Sequence, residues 1–420
     1  MKKLLAALLA AMMVLSMMSF AAADDEGTVL NIYVWNDEWQ TRFNDYYASK
    51  VPDGITVNFV TVPSSDNAYQ NNLDAALQAQ ETASAEDKVD IFLVEADYAT
   101  KYLDYAYDVA DLGITEDDIS GMYQYTKDIM TDADGKIKGL SWQACPAGLI
   151  YRRDLALEVL GTDDPDAVQE MLSDWDKFSE VAAQMADAGI KMVSGYDDTY
   201  RTFTDNMTGP WVVDGKIQKD DAVVAWIEQT KNFTDNGWNN GTTLWSSDWS
   251  ADMAHDAKVF CYFGPAWFFD YSMGGGTAGD WAVCEGPVGF SWGGTWICVA
   301  KGTDNEALCA DILKTMTCDT EVLKTIVTEK ADFCNNVEVM EGFASDPSFG
   351  DAFLGGQNYV SVLLANAQNI NRAKSTIYDQ TCTEKIQAAM HDYFNGVVDL
   401  DTAWNNFYQA VTETHPELSY

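Results

Sequence analysis

Within its first hundred residues the chain alternates short apolar strand patterns with amphipathic helix patterns, and that alternation restricts it to folds built on a parallel sheet. Leu30-Asn31-Ile32-Tyr33-Val34-Trp35 alternates in polarity and ends in the polar turn Asn36-Asp37-Glu38. A helix pattern runs from Trp39 through Tyr47, and Ile55 to Val60 forms a second strand. Tyr69 to Gln80 places Leu73, Ala76 and Leu77 on one helical face. Val89 to Val94 is a third strand, short and apolar enough to be buried. Strand–helix–strand units of this kind pair in parallel, so an α/β fold is expected.

Further along, Lys138 to Trp142 and Leu149 to Tyr151 are strand-like runs on either side of Ala144-Cys145-Pro146-Ala147-Gly148. Asp154 to Ala188 reads as helical, broken at Asp163-Asp164-Pro165, with Ser173 or Asp174 capping the helix that starts at Trp175. Tyr200 and Arg201 fall in a polar loop. Val259 to Phe263 is a strand that meets the turn Gly264-Pro265, Gly274-Gly275-Gly276 reads as a flexible loop, and Trp296 to Ala300 is another strand. Nearly everything after Asn305 reads as helix. At 420 residues the chain exceeds the size at which one core stops growing, yet no Pro- or Ser-rich linker divides it. Two lobes that exchange chain segments several times account for both facts, and lobes hinged around a cleft suit the enclosure of a small ligand.

The N-terminus has the order of a secretory signal: Lys2 and Lys3, an apolar run from Leu4 to Phe20, then small Ala21-Ala22-Ala23 before acidic Asp24-Asp25-Glu26. Residues 1–23 are therefore expected to be removed. The alternative is an uncleaved anchor, because the run is nearly long enough to span a bilayer. No later stretch is apolar enough to do so. A formal net charge of −41 disfavours nucleic acid and anionic membranes as partners. The acid is dispersed, which describes a solvated surface. The 8 cysteines, Cys145 to Cys382, include no CxxC pair, so a structural zinc or redox motif is not expected. Their even number permits disulfides in an exported chain, but Cys261, Cys284 and Cys298 sit in apolar strand runs where a free thiol packs as a small hydrophobe.

Four stretches, in order, resemble the extracellular solute-binding proteins of carbohydrate ABC importers, the maltose-binding-like group. They are the opening strand and turn Leu30 to Glu38 followed by Tyr69 to Leu77 and Val89 to Tyr98, the helix start Leu172-Ser173-Asp174-Trp175-Asp176-Lys177-Phe178, the run Asp256 to Trp267 with its Gly264-Pro265 turn, and Gly293-Gly294-Thr295-Trp296-Ile297-Cys298-Val299-Ala300-Lys301. Asn395 to Ala403 is similar to the start of the family's last helix, with Asp401 as its N-cap. The resemblance implies a type II periplasmic-binding-protein fold: an N-terminal lobe of residues 24–145 with 296–334, and a C-terminal lobe of 146–295 with 335–420. It further implies capture of a mono- or oligosaccharide, delivery to ABC permease subunits, and action as a monomer without a cofactor. Relatives in bacteria with a single membrane are usually lipoproteins, but Ala21 to Ala23 stand where the lipidated Cys would be, and the first Cys is Cys145. Periplasmic, released and N-terminally anchored forms all remain open.

A sugar site needs flat aromatic platforms and polar groups able to pair with hydroxyls. Trp35, Asn36, Asp37 and Glu38 supply both just after the first strand, unless Trp35 packs on its own lobe. Glu95, Asp97 and Tyr98 follow the third strand, at the carboxyl end of an α/β sheet, where ligands bind. Trp142 and Gln143 precede the first crossing between lobes and are placed to floor the cleft. Tyr200 and Arg201 come from the second lobe, where Arg201 either bonds sugar oxygen or neutralises Asp197 and Asp198. Trp267 follows Gly-Pro, where the resemblance puts a ligand-stacking Trp; the competing reading is a core aromatic. Trp292, Gly293 and Gly294 complete the set, the glycines admitting close backbone approach. His255, His391 and His415 are scattered, and no HExxH, GxSxG, P-loop or GxGxxG motif occurs, so no catalytic residue, metal or nucleotide site is expected. A secreted glycoside hydrolase is the enzyme alternative, and a metal or polyamine binder on the same fold is another.

Overall fold

The computed structural model describes residues 27–273, 277–370, 372 and 374–420; residues 1–23, expected to be a signal, and the triple glycine at 274–276 lie outside them. Among the described residues ten strands form two sheets and one small hairpin. In chain order they are β1 (Val29–Val34), β2 (Thr56–Thr61), β3 (Ile91–Glu95), β4 (Pro146–Arg152), β5 (Val212–Val213), β6 (Lys216–Ile217), β7 (Cys261–Pro265), β8 (Trp281–Cys284), β9 (Phe290–Ser291) and β10 (Thr295–Val299). The first sheet has the order β10-β3-β1-β2, with β1 parallel to both β2 and β3. β10 returns from far along the chain to lie antiparallel to β3. The second sheet is antiparallel around β4, flanked by β7 on one side and by β8 and β9 on the other. Each sheet anchors one lobe of a two-lobed α/β architecture.

The helices Glu38–Tyr46 and Ala68–Ala79 link the parallel strands, as the apolar spacing predicts. Leu73 and Leu77 bury the face the sequence assigns to the core. Each such side chain contributes roughly 1.5–3 kcal/mol by leaving water. β3 and β4 are buried along almost their whole length, which explains their lack of polar alternation. Asp174, rather than Ser173, caps the helix Trp175–Asp187 by accepting the Lys177 amide.

Three chain segments run side by side between the sheets. The Ala144 amide donates to Phe333, the Asn335 amide to Trp142, and the Trp292 amide to Cys145. Lys138 to Trp142 is not a strand: Leu140 makes one bridge to Ile297, and Gln143 another to Cys334. The run pairs its backbone through single bonds to Met130, Ile297 and Asn335 rather than through a ladder, a difference that periodicity alone does not show. Arg201 lies on a short helix, Tyr200–Thr204, not in a loop. Cys318 is half-buried, and the other seven cysteines are buried; all eight are free thiols.

The last helix, Leu400–Thr414, is capped by Asp399 and not by Asp401: the Asp399 carboxylate accepts the Thr402 amide at 2.8 Å. Asp401 falls within the first turn, where its charge meets only the helix dipole. Asp399→Ala is expected to lower the midpoint of urea denaturation through the lost cap. Asp401→Ala should cost about half of that or less. Equal costs would overturn the assignment.

Candidate functional site

The segment 243–249, the ends of β7 and β9, and the helix Asp379–Phe394 enclose a cavity of about 400 Å3. Its aromatic wall is built from Trp245, Trp249, Trp292 and Tyr262. The ring centroids of Trp245 lie 5.3 Å from Trp249 and 5.5 Å from Trp292. Trp245 holds φ at +66° and remains 51% exposed. A bulky residue in the left-handed region is strained, and such strain persists where surrounding structure enforces it, often at ligand sites. Trp267 stands beside this wall. Its ring lies 5.4 Å from Trp292, and its Nε1 donates to the Trp292 carbonyl at 3.3 Å. Gly293 and Gly294 have φ of +70° and +104°. A Cβ on Gly293 would meet the Trp267 ring at 3.4 Å, so it is the left-handed backbone rather than lack of space that suits glycine there.

Polar groups from two elements face the aromatic wall. Asp198, just ahead of the helix Tyr200–Thr204, accepts the Trp249 Nε1 and the Gly195 amide, each at 2.7 Å. Burial pushes its carboxyl up to about 6. Glu384, Gln387 and His391 project from the helix Asp379–Phe394, and His391 Nε2 meets both Asp197 oxygens at 3.0 Å.

Arg201 lines the same cavity and also reaches across to the first lobe. Asp97, just past β3, receives Arg201 at 2.6 Å and Arg372 at 2.9 Å. Arg372 in turn binds Asp205 at 2.6 Å, and Asp205 accepts both the amide and the hydroxyl of Ser291 at 2.7 Å. Burial pushes the Asp97 carboxyl upward, but the charges of Arg201 and Arg372 outweigh it and hold it below its ordinary range. Glu95 accepts the Asp97 amide at 2.8 Å, and burial together with the Asp97 charge raises its carboxyl. Tyr98 donates to Asn67.

The residues singled out in the sequence divide accordingly. Arg201 and Trp292 line the cavity, Trp267, Gly293 and Gly294 adjoin it, and Glu95 and Asp97 join Arg201 from across the lobes. Trp142 is 0% exposed, stacks on Trp39, and donates its Nε1 to Asp332. Glu38 and Gln143 belong to that same network around Asp332 and Arg42. Tyr200 is likewise 0% exposed, with its hydroxyl bonded to Thr383. Trp35 packs edge-on against Tyr69, Asn36 accepts the Glu38 amide, and Asp37 is exposed. Sequence reasoning missed Trp245, Glu384 and Arg372. Arg372 had a usable signal: it is one of only five arginines in a chain of 66 acidic residues.

Residues 43–333 match the family of bacterial extracellular solute-binding proteins. The chain belongs to that family. No curated protein matches the sequence. Among solved structures, this solute-binding protein is similar to an extracellular solute-binding protein of family 1, with a TM-score of 0.76 and 18% identity over 92% of this chain and 99% of that one. It is also similar to an ABC-transporter-associated binding protein of B. animalis subsp. lactis in complex with β-1,6-galactobiose, with a TM-score of 0.70 and 19% identity over 93% and 98%. A third is the galacto-N-biose/lacto-N-biose I-binding protein of Bifidobacterium longum in complex with lacto-N-biose, with a TM-score of 0.68 and 16% identity over 94% and 98%. At these identities the likeness establishes the fold. Among the described residues no helix is long and apolar enough to cross a membrane, and no group of three or more His, Cys, Asp or Glu is arranged to hold a metal ion.

The raised carboxyls set a pH dependence for the solute-binding protein. Burial holds Asp198 and Asp379 at about 6, and Glu95 is also raised, so the folded state retains protons that the unfolded chain releases near pH 4. Stability from these groups therefore grows as pH falls from about 7 towards 4.5. Asp97, held low, acts in the opposite sense only below its ordinary 3.8. The Tm is expected to rise between pH 8 and pH 5, and to rise less in Asp198→Asn. A wild-type Tm that falls over this interval would overturn the assignment.

Proposed function

We propose that this protein captures a mono- or oligosaccharide outside the cytoplasm and delivers it to the permease of an ABC importer. The observation behind this reading is the cavity of about 400 Å3 whose lining combines Trp245, Trp249 and Trp292 with Asp198, Arg201, Glu384 and Gln387. Its volume lies within the usual range for small-molecule sites. Indole faces cover the apolar C–H faces of a pyranose, and carboxylate, amide and guanidinium groups pair with its hydroxyls. Trp267 supports the wall through Trp292, and the carbohydrate complexes of proteins sharing this fold favour the same ligand class. The reading requires no bond-making step, and the residues act by binding alone.

In this reading residues 24–145 with 296–334 close on residues 146–295 with 335–420 about the three segments that run between the sheets. Closure brings Asp97 to Arg201, and presents to the permease, as a monomer, a surface formed from both lobes. Residues 1–23 direct export, with the mature protein at the cell surface, in a periplasm or released.

The test is a sugar panel against the mature protein, from residue 24 onward, read by thermal shift and Trp fluorescence, with each mixture analysed for products. A ligand at a hundredfold excess over Kd stabilises by about 2.7 kcal/mol. A saturable shift with the sugar recovered intact is expected. Trp245→Ala, Trp292→Ala and Trp267→Ala should each weaken binding about tenfold or more, a loss of about 1.4 kcal/mol. Cleaved sugar would establish a hydrolase instead, and a shift with no sugar would overturn the reading.

A further inference from the structure

The charges around the cavity do not balance. Its lining includes two basic side chains, Arg201 and His391, and no lysine. Arg201 is engaged by Asp97 at 2.6 Å, and His391 by Asp197 at 3.0 Å. Two carboxylates remain, Asp198 and Glu384, and neither forms an ion pair among the described residues. Asp198 is only 9% exposed and is held by neutral donors, the Trp249 indole and the Gly195 amide. Glu384 accepts from the Gln380 amide group at 2.7 Å. A carboxylate withdrawn from water without a counter-charge is costly, and an occupant that supplies the charge recovers that cost.

The aromatic residues of the lining are suited to the same occupant. Trp245, Trp249 and Trp292 form a chain of indoles with neighbouring centroids 5.3 and 5.5 Å apart, and Tyr262 lies 5.8 Å from Trp249. Aromatic faces attract cations through the ring quadrupole, and aromatic boxes are a recurrent means of holding ammonium groups. Indoles and carboxylates without a counter-charge in one lining favour a ligand with an apolar ring and a positive charge. They disfavour uronic and phosphorylated sugars, whose charge would meet Asp198 and Glu384.

We propose that the captured saccharide is an amino sugar, with its free ammonium group seated between the indole wall and the Asp198 and Glu384 carboxylates. This deepens the reading of the site as a sugar site and rests on it. An N-acetyl group would abolish the charge, so the unacetylated amine is the form the cavity selects.

Isothermal titration at pH 7.5 tests the proposal with matched probes: glucose and galactose, their 2-amino, 2-acetamido and uronic acid counterparts, chitobiose with its de-N-acetylated form, and spermidine. The free amine is expected to bind at least tenfold more tightly than its neutral or acetylated partner, with uronic acids weakest. Glu384→Gln and Asp198→Asn should each narrow that ratio several-fold. Glu384 is only half-buried, so its variant keeps the test valid if Asp198→Asn fails to fold. Neutral, acetylated or acidic sugars that bind as tightly as the amine would overturn the proposal and leave sugar capture standing. Binding of spermidine alone, or of no probe, would overturn both.

Discussion

Asp332 is a buried carboxylate at the junction of the lobes, and the local arrangement of the chain is organised around it. Arg42 reaches it at 2.8 Å, the Trp142 indole at 3.1 Å, and Gln143 at 3.4 Å. Arg42 also lies over the Trp142 ring. These contacts come from the helix Glu38–Tyr46, from the segment before β4, and from the segment before the C-terminal helices, so one charge ties together regions nearly three hundred residues apart. Removing one partner of such a pair leaves an uncompensated buried charge, which typically costs 3–5 kcal/mol. That network holds Glu38, Trp142 and Gln143, leaving the aromatic wall around Trp292 to face the cavity.

A second charged cluster joins the lobes further out. Asp97 follows β3 of the first sheet, while Arg201 and Asp205 come from the helix Tyr200–Thr204 and its C-terminal end, and Arg372 bridges the two acids. Because Arg201 both lines the cavity and bonds to Asp97, whatever displaces its guanidinium also disturbs the contact between lobes. Site and lobe contact thus share one side chain. Asp205 extends the link to Ser291, one residue before Trp292.

How far the sequence was legible follows from the range of each interaction. The helix Ala68–Ala79, the cap at Asp174 and the buried strand β3 are local, set by periodicity and by contacts within a few residues, and their patterns were readable. Asp399 and Asp401 show the limit: both precede good helix formers, and only backbone geometry distinguishes cap from first turn. Trp142 shows a further limit. A Trp near a lobe crossing suits a cleft floor as well as a core, and its burial depends on Trp39, about a hundred residues away. Trp245 escaped notice because its prominence comes from a left-handed backbone conformation and from neighbours at 249 and 292.

The sequence by itself determined the alternation of strands and helices, the two-lobed α/β class, and the availability of tryptophans and acids for a polar, aromatic site. These follow from composition and short-range pattern, which the chain expresses wherever it folds. The tertiary structure alone decided which acids are neutralised and which are left to the cavity. Asp97 takes two arginines, Asp197 takes a ring nitrogen of His391, and Asp198 and Glu384 form no ion pair among the described residues. Charge pairing acts through space over a few ångströms, and the partners lie up to 275 residues apart along the chain.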